Sequence, residues 1–485
     1  MIQPNQLVIG FLIYGYIIIL SFIFLIVMSL FNKYRYKYRK YKFDESYRPT
    51  FSVIVPAYNE VEVIERTIHS FLRTSYFSSK LELIIVNDAS IDNTRKIVEK
   101  YAYKIIDSVT GKSEYIAENH KNITLVNRKT GGKGKSHVLN DGRLYANNEI
   151  LLVIDADVKL SSNIFELASK HFSDERVGAV IGLVKVSPKK GSILNNFIDF
   201  ECVIGQSLLR LGFDTIGLHY IISGGCGFFR KSIIDSVGKY DSDTLAEDTD
   251  MTWKLLTQTK TKIHFDSSIK VEADEPSLLN NLWNQRVRWS RGNFGVTLKY
   301  LDKVGNIKCG KAVTIGYPLW ISTLFIPIIL FITPFILVIS SMFKLDISAI
   351  SSIPRLIAIT YISSLLLGII VNKGHSWFAG LISCGIPSLF TFLSIIIWKN
   401  GFEGFLTTMG IQEYITLFNT IMFILLVMPM VFTPSIIKLS KKHRKLAEFI
   451  QFYIFGYWFI IITSSVYGYF KELRRDELTW IRTVR

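Results

Sequence analysis

The chain has 485 residues, a net charge of +16 and nearly half its residues apolar. The length allows two or three domains, and the clustering of the apolar residues is unlike that of an ordinary soluble enzyme. Four cysteines (Cys202, Cys226, Cys309, Cys384) with no paired spacing argue against a zinc site or a disulfide framework.

The first apolar block, about 8–31, is long enough to cross the ~30 Å hydrocarbon core of a bilayer. It lacks a basic n-region and a small-residue cleavage site, so it reads as an anchor rather than a signal peptide. Lys33, Arg35, Lys37, Arg39, Lys40 and Lys42 alternate with tyrosines directly after it. Beside a membrane segment, such a stripe obeys the positive-inside rule better than it suggests nucleic-acid binding, and it places residues 33 onward in the cytoplasm.

Between about 48 and 300 the polarity is that of a globular domain. Apolar runs at 51–56, 81–87, 123–127 and 149–154 read as buried strands, and helix-like segments at 60–72, 92–103 and 135–145 alternate with them. The alternation predicts a mostly parallel sheet covered by helices on both faces, with ligands beyond the carboxyl ends of the strands. Those ends carry Tyr58-Asn59-Glu60, Asn87-Asp88 and Asp155-Ala156-Asp157. Two carboxylates two residues apart can hold a divalent cation and leave positions for diphosphate oxygens. A lone Asp-x-Asp is usually a solvated turn; Asp88 at a neighbouring strand end shifts the balance toward a site.

Gly131-Gly132-Lys133-Gly134-Lys135-Ser136 fails the phosphate-loop spacing, because Lys129 stands where its first glycine belongs. A nucleotide-contacting loop and a plain helix start remain equal readings. Further on, the glycine cluster Ser223-Gly224-Gly225-Cys226-Gly227 permits close approach of a bulky ligand. Ala246-Glu247-Asp248-Thr249-Asp250 then opens a helical run, where acids also serve as dipole partners. Residues 277–300 are amphipathic. On a helix Gln285, Arg288 and Trp289 share a face and offer an amide, a guanidinium and an indole suited to phosphate, hydroxyl and sugar ring.

From about 312 to 470 five apolar segments (314–342, 353–371, 377–398, 412–436, 449–470) are candidate membrane crossings. Five crossings would put the tail outside, yet the tail and the 438–445 loop are both basic, so one segment, with 353–371 the suspect, reads as re-entrant or interfacial. The expected organisation is an anchor and basic segment (1–47), a catalytic domain (48–276), interface helices (277–311), a membrane region of four or five helices (312–470) and a cytoplasmic tail (471–485).

Taken in order, Val55-Pro56-Ala57-Tyr58-Asn59-Glu60, Asn87-Asp88-Ala89-Ser90, Gly134-Lys135 with Leu139-Asn140, Asp155-x-Asp157, Ser223-Gly224-Gly225, Glu247-Asp248 and Gln285-x-x-Arg288-Trp289 resemble the processive family-2 inverting glycosyltransferases. That group includes cellulose, hyaluronan and poly-β-1,6-N-acetylglucosamine synthases, and the last of these is the nearest likeness. Ala246 departs from the family's usual Thr, an extra Gly-Lys pair precedes Lys135, and 102–121 carries no motif. The resemblance implies a Rossmann-like α/β GT-A domain, mostly parallel, embedded between transmembrane helices of the plasma membrane and facing the cytoplasm. It implies a UDP-sugar donor held by Ala57, Tyr58, Glu60, Asp88, Lys135, Asp155 and Arg288, and Mg²⁺ or Mn²⁺ on Asp157 and Asp155. Asp248 would be the base, with Ser223, Gly224, Gly225, Glu247, Gln285 and Trp289 on the acceptor side. Trp480, Arg482 and Thr483 resemble a gating tail. The implied activity is polymerisation of a UDP-sugar, N-acetylglucosamine first, with export through the bilayer and room for an accessory export subunit. Transfer of one sugar to a lipid carrier, or a glucan- or hyaluronan-type synthase with another UDP-sugar, are the alternatives.

Overall fold

A computed structural model describes residues 43–321, apart from 133, 188–191, 203, 204, 206, 208 and 220, scattered positions in 21–32 and 323–331, and residues 457–477. Most of the expected membrane segments and the expected gating tail, Trp480, Arg482 and Thr483, lie outside the described residues. Among the described residues no helix is long and apolar enough to cross a membrane. The chain divides into two compact units, one of residues 1–27 and 322–466, the other of residues 28–321 and 467–485. The second carries the sheet.

Ten strands form that sheet: β1 (Phe51–Ala57), β2 (Leu81–Asn87), β3 (Ala102–Asp107), β4 (Ser113–Tyr115), β5 (His120–Asn127), β6 (Ile150–Val153), β7 (Lys159–Leu160), β8 (Val177–Val186), β9 (Gly227–Arg230) and β10 (Lys262–Ala273), in the order β4-β3-β5-β2-β1-β6-β9-β8-β10-β7. Five central strands, β3-β5-β2-β1-β6, run parallel. Of these, β1, β2 and β6 read as Val/Ile/Leu-rich runs because both their faces are covered, and they are buried almost throughout. Phe51 of β1 anchors the core, with Phe165 at 5.0 Å and Tyr76 at 5.4 Å between ring centroids.

The sheet is mixed rather than mostly parallel. β9 runs antiparallel to both β6 and β8, and β4 and β7 are antiparallel at the edges. The expected helix 92–103 is the shorter α2 (Thr94–Glu99), and the motif-free stretch 102–121 supplies β3, β4 and the first residues of β5. Edge strands such as β4, wholly exposed, have no buried face to write a period-2 pattern into the sequence.

The other helices of this unit are α1 (Ile64–Leu72), α3 (Lys135–Leu144), α4 (Ile164–Phe172), α5 (Ile193–Cys202), α6 (Arg210–Ile216), α7 (Lys231–Val237), α8 (Glu247–Gln258) and α9 (Leu279–Lys299). Helix α10 (Trp458–Leu473) brings its last turns into the unit, and they pack on α9. A Cβ on Gly468 would lie 2.8 Å from the Val287 carbonyl oxygen. Arg291, 5% exposed, reaches Glu472 Oε2 at 2.8 Å and donates to the backbone carbonyls of Asp476 and Glu477.

Candidate active site

In-register parallel pairing, Ala57 opposite Asn87 and Ile54 opposite Val153, makes the carboxyl ends of β1, β2 and β6 flush. The winding reverses between β1 and β6, since β2, β5 and β3 lie to one side of β1 and β6 to the other. A crevice opens outside the sheet at such a reversal. Because β9 is antiparallel to β6, its entry turn Ser223-Gly224-Gly225 lies beside the exit of β6, where a Cβ on Gly225 would be 4.0 Å from Asp155 Oδ2. One cavity of about 410 Å³ occupies this edge.

Every sequence-predicted site residue that the structure describes lines this cavity. Ala57, Tyr58, Glu60, Asp88, Lys135, Asp155 and Asp157 come from the strand ends and α3; Ser223, Gly224, Gly225, Glu247 and Asp248 from the β9 turn and the start of α8; Gln285, Arg288 and Trp289 from α9.

The β1 and β2 ends are laced together. Asn59 and Ala89 both adopt left-handed backbone, with φ of 56° and 54°. The Asn59 N–H donates to Ser90 Oγ at 2.9 Å, and Asn59 Oδ1 accepts the Ile91 N–H at 2.9 Å. Such non-glycine φ values cost of order 1–3 kcal/mol each and mark a loop shaped for a purpose other than stability. Between them Asp88 accepts hydrogen bonds from Arg128 Nη1 and, at 3.3 Å, from the Gly132 N–H. Arg128 also pairs with Asp141 at 2.9 Å. It lies just past the end of β5, the strand that the apolar run 123–127 predicts, and belongs to none of the sequence motifs. Gly132 and Gly134 line the cavity, and Gly131 packs on the β2 exit, where a Cβ would lie 2.3 Å from the Asp88 carbonyl oxygen.

Lys135, at the first position of α3, bridges the two halves of the site. Its ammonium lies 2.7 Å from Asp155 Oδ1 and 3.1 Å from Glu247 Oε1. Burial disfavours the ammonium, but Asp155 and then Glu247 outweigh it, and its pKa is raised above the ordinary lysine value. Asp157, 1% exposed, accepts the Asp274 N–H at 3.0 Å through Oδ2, and its carbonyl accepts from Arg66 at 2.9 Å.

Asp248 sits in the first turn of α8. Its Oδ2 accepts the Gly224 N–H at 3.1 Å and its Oδ1 the Thr249 N–H at 2.8 Å. Burial, followed by the neighbouring charge of Glu247, pushes its carboxyl pKa up, against the opposing pull of Lys135 and the two N–H donors. A carboxylate so placed is a stronger base than one in water.

On α9, Gln285 Nε2 donates to Glu275 Oε2 at 3.1 Å. The Arg286 guanidinium lies 4.5 Å from the centroid of the Trp289 ring and pairs with Glu201 of α5 at 2.8 Å. Trp289, 38% exposed, is thereby backed by a cation while it lines the cavity. Arg210, Asp274 and Asn293 also line it and belong to no sequence motif, and Glu275, just ahead of α9, lines it too.

Asp155 and Asp157 give the donor set a divalent cation of the Mg²⁺ or Mn²⁺ type requires, hard oxygens at one strand exit with the rest of the shell left to phosphate and water. A second acidic cluster, Asp241, Asp243 and Asp250, also has a metal cage's spacing. There Lys299 Nζ stands 2.8, 2.9 and 2.8 Å from the three carboxylates, so an ammonium takes the cation's place.

This cavity, at the switch point of a mixed sheet with paired carboxylates at one strand exit, is that of the GT-A glycosyltransferases. The model of glycosyl transferase family 2 matches residues 52–237, and that of glycosyl transferase family group 2 matches residues 150–460. The chain belongs to the family-2 glycosyltransferases and is a glycosyltransferase. It is 32% identical over 261 residues to the probable glycosyltransferase YdaM of Bacillus subtilis, covering 54% of this chain and 59% of that protein. It is 32% identical over 260 residues to the poly-β-1,6-N-acetyl-D-glucosamine synthase of Staphylococcus epidermidis, covering 51% and 55%. The matches thus span little more than half of these relatives. Among solved structures, the mannosyltransferase PcManGT from Pyrobaculum calidifontis, in complex with GDP-Man and Mn²⁺, shares the fold over 95% of this chain and 99% of its own, with a TM-score of 0.51 at 18% identity.

Proposed function

We propose that this enzyme is a processive, inverting β-glycosyltransferase of the cell membrane that polymerises a UDP-sugar, N-acetylglucosamine first among the candidates, and passes the polymer across the bilayer. The observation that carries the reading is the convergence of the seven separated motif segments on one cavity, which a carboxylate at the start of α8, Asp248, shares with a strand-end carboxylate pair. Similarity to the staphylococcal synthase supports the choice of sugar and linkage.

The nucleotide half of the cavity is the β1–β2 edge. Asp88, held by Arg128 and the Gly132 N–H, presents a carboxylate acceptor to N–H groups of the base. Asp155 and Asp157 would hold the divalent ion, a reading supported by the complex of PcManGT with GDP-Man and Mn²⁺. When bound, that ion neutralises charge developing on the departing diphosphate. Arg288 and Lys135 add fixed positive charge on the same side. On the other side Asp248 accepts the proton of the acceptor hydroxyl as its oxygen bonds to the anomeric carbon, the carbon–phosphate oxygen bond breaks, and UDP leaves with the electron pair. One base suffices because the leaving group departs as a stabilised anion, unlike the two-carboxyl demand of glycoside hydrolysis. Trp289 offers an indole face to the acceptor sugar.

Asp248→Asn keeps the shape of the site and removes the base. The variant should bind UDP-N-acetylglucosamine as the wild type does and synthesise no polymer. Polymer made at the wild-type rate would overturn the mechanism.

A further inference from the structure

Among the described residues three cations line the cavity: Lys135, Arg210 and Arg288. Lys135 is committed to Asp155 and Glu247. Arg210, the first residue of α6, is different. Among the described residues no carboxylate pairs with it, and its Nη1 is sealed from solvent without a hydrogen-bond acceptor. Its charged surroundings are Asp248, whose attraction is the strongest it feels, and the thiols of Cys202 and Cys226. Those thiols give it no counter-ion. Burial raises the pKa of Cys202, and pushes that of Cys226 up to about 12, so both stay neutral.

A guanidinium N–H taken out of water without a hydrogen-bond acceptor is destabilising. Where such a group faces a cavity, the cost is offset when a ligand oxygen completes it. Its place in the cavity tells which ligand. The donor's side is marked by Asp88, Asp155 and Asp157. Arg210 instead neighbours Asp248, the group that must touch the acceptor hydroxyl, and Cys226, which closes the Ser223-Gly224-Gly225 turn.

We infer that Arg210 is an acceptor-positioning residue, whose cavity-facing edge donates to an oxygen of the terminal acceptor sugar adjacent to the attacking hydroxyl and so fixes which hydroxyl meets Asp248. The inference rests on the glycosyl-transfer reading above and adds a residue that none of the motifs contains. Its consequence is a split: removing the guanidinium harms acceptor recognition and leaves donor recognition intact.

The test uses the full-length protein in detergent, with Arg210→Met and Arg210→Lys. UDP-N-acetylglucosamine affinity is measured by calorimetry, and transfer is measured against an added β-1,6-linked N-acetylglucosamine disaccharide. The acceptor KM of Arg210→Met should rise about 10–100-fold, the range for a lost charge-assisted hydrogen bond. Donor Kd should stay within about twofold, the thermal midpoint should be unchanged, and Arg210→Lys should fall between. An acceptor KM at the wild-type value in Arg210→Met, or a donor Kd that weakens in step with it, would overturn the inference. Should Arg210→Met fail to fold, a wild-type acceptor KM in Arg210→Lys does the same. Wild-type protein that consumes no UDP-sugar removes the underlying reading as well, whereas active wild type with indifferent Arg210 variants removes this inference alone.

Discussion

Adding one methyl group to α9, outside the cavity, should disable the enzyme. A Cβ at Gly292 would lie 2.7 Å from both Ala246 Cβ and Ala246 N and 2.9 Å from the Leu245 carbonyl carbon, the turn that leads straight into Glu247 and Asp248. Two of these atoms are backbone and cannot rotate away. Ordinary contact begins at 3.4 Å, so α9 and the turn must part by about 0.7 Å, at an overpacking cost of roughly 1–3 kcal/mol. Trp289 lies three residues before Gly292 on the same helix, and Asp248 two residues after Ala246, so the displacement falls between the proposed acceptor platform and the proposed base. Misplacement of about 1 Å can cost ~100-fold in rate; Gly292→Ala should therefore lose roughly 10–100-fold in kcat with a modest fall in thermal midpoint. Gly295→Ala is the control. Its Cβ would meet Glu472 Oε1 at 2.7 Å, the far end of a flexible side chain, which can swing aside. Initial rates of UDP release with acceptor present decide the matter. Wild-type kcat in Gly292→Ala, or an equal loss in Gly295→Ala, would refute the reasoning.

Other consequences are equally direct. Burial and Glu247 hold the Asp248 carboxyl above its ordinary 3.8; because the base must be deprotonated, kcat/KM should fall as pH drops through that raised value. Glu247→Gln removes the like charge and frees Lys135, so the acid limb should move to lower pH; a limb that stays or rises would contradict the assignment. Asp157→Asn should abolish the response of turnover to added Mn²⁺, read as rate against metal concentration. Arg128→Met leaves Asp88 without its ion-pair partner and should weaken donor binding about 10-fold, measured by calorimetry. Lys299→Met leaves three carboxylates, one of them the buried Asp250, around an apolar side chain; chemical denaturation should show a loss of about 2–4 kcal/mol.

Much of the proposed nucleotide half could be read from sequence because its strands are buried on both faces, and runs such as Leu83–Asn87 are written in Val, Ile and Leu with a polar residue only at the exit. The proposed acceptor half was legible as motifs but not as a place. Nothing in Gly227–Arg230 reveals that the strand runs backwards, and that reversal is what sets Ser223-Gly224-Gly225 beside Asp155. Arg128 was within reach, since its strand had been located. Arg210 was not: it stands in an apolar stretch where spacing gives no hint, and only the fold brings it to Asp248's side of the cavity. The extended reading of helix 92–103 failed because half-buried β3 and exposed β4 lack a one-sided apolar pattern.

The central claim is tested most directly by the product. Purified full-length protein in lipid, supplied with a divalent cation and a panel of UDP-sugars, should consume UDP-N-acetylglucosamine. It should yield a ladder of N-acetylglucosamine oligomers by mass spectrometry, cleaved by a β-1,6-specific hydrolase. A product that stops at one sugar on a lipid, or a polymer built from a different UDP-sugar, would contradict the account.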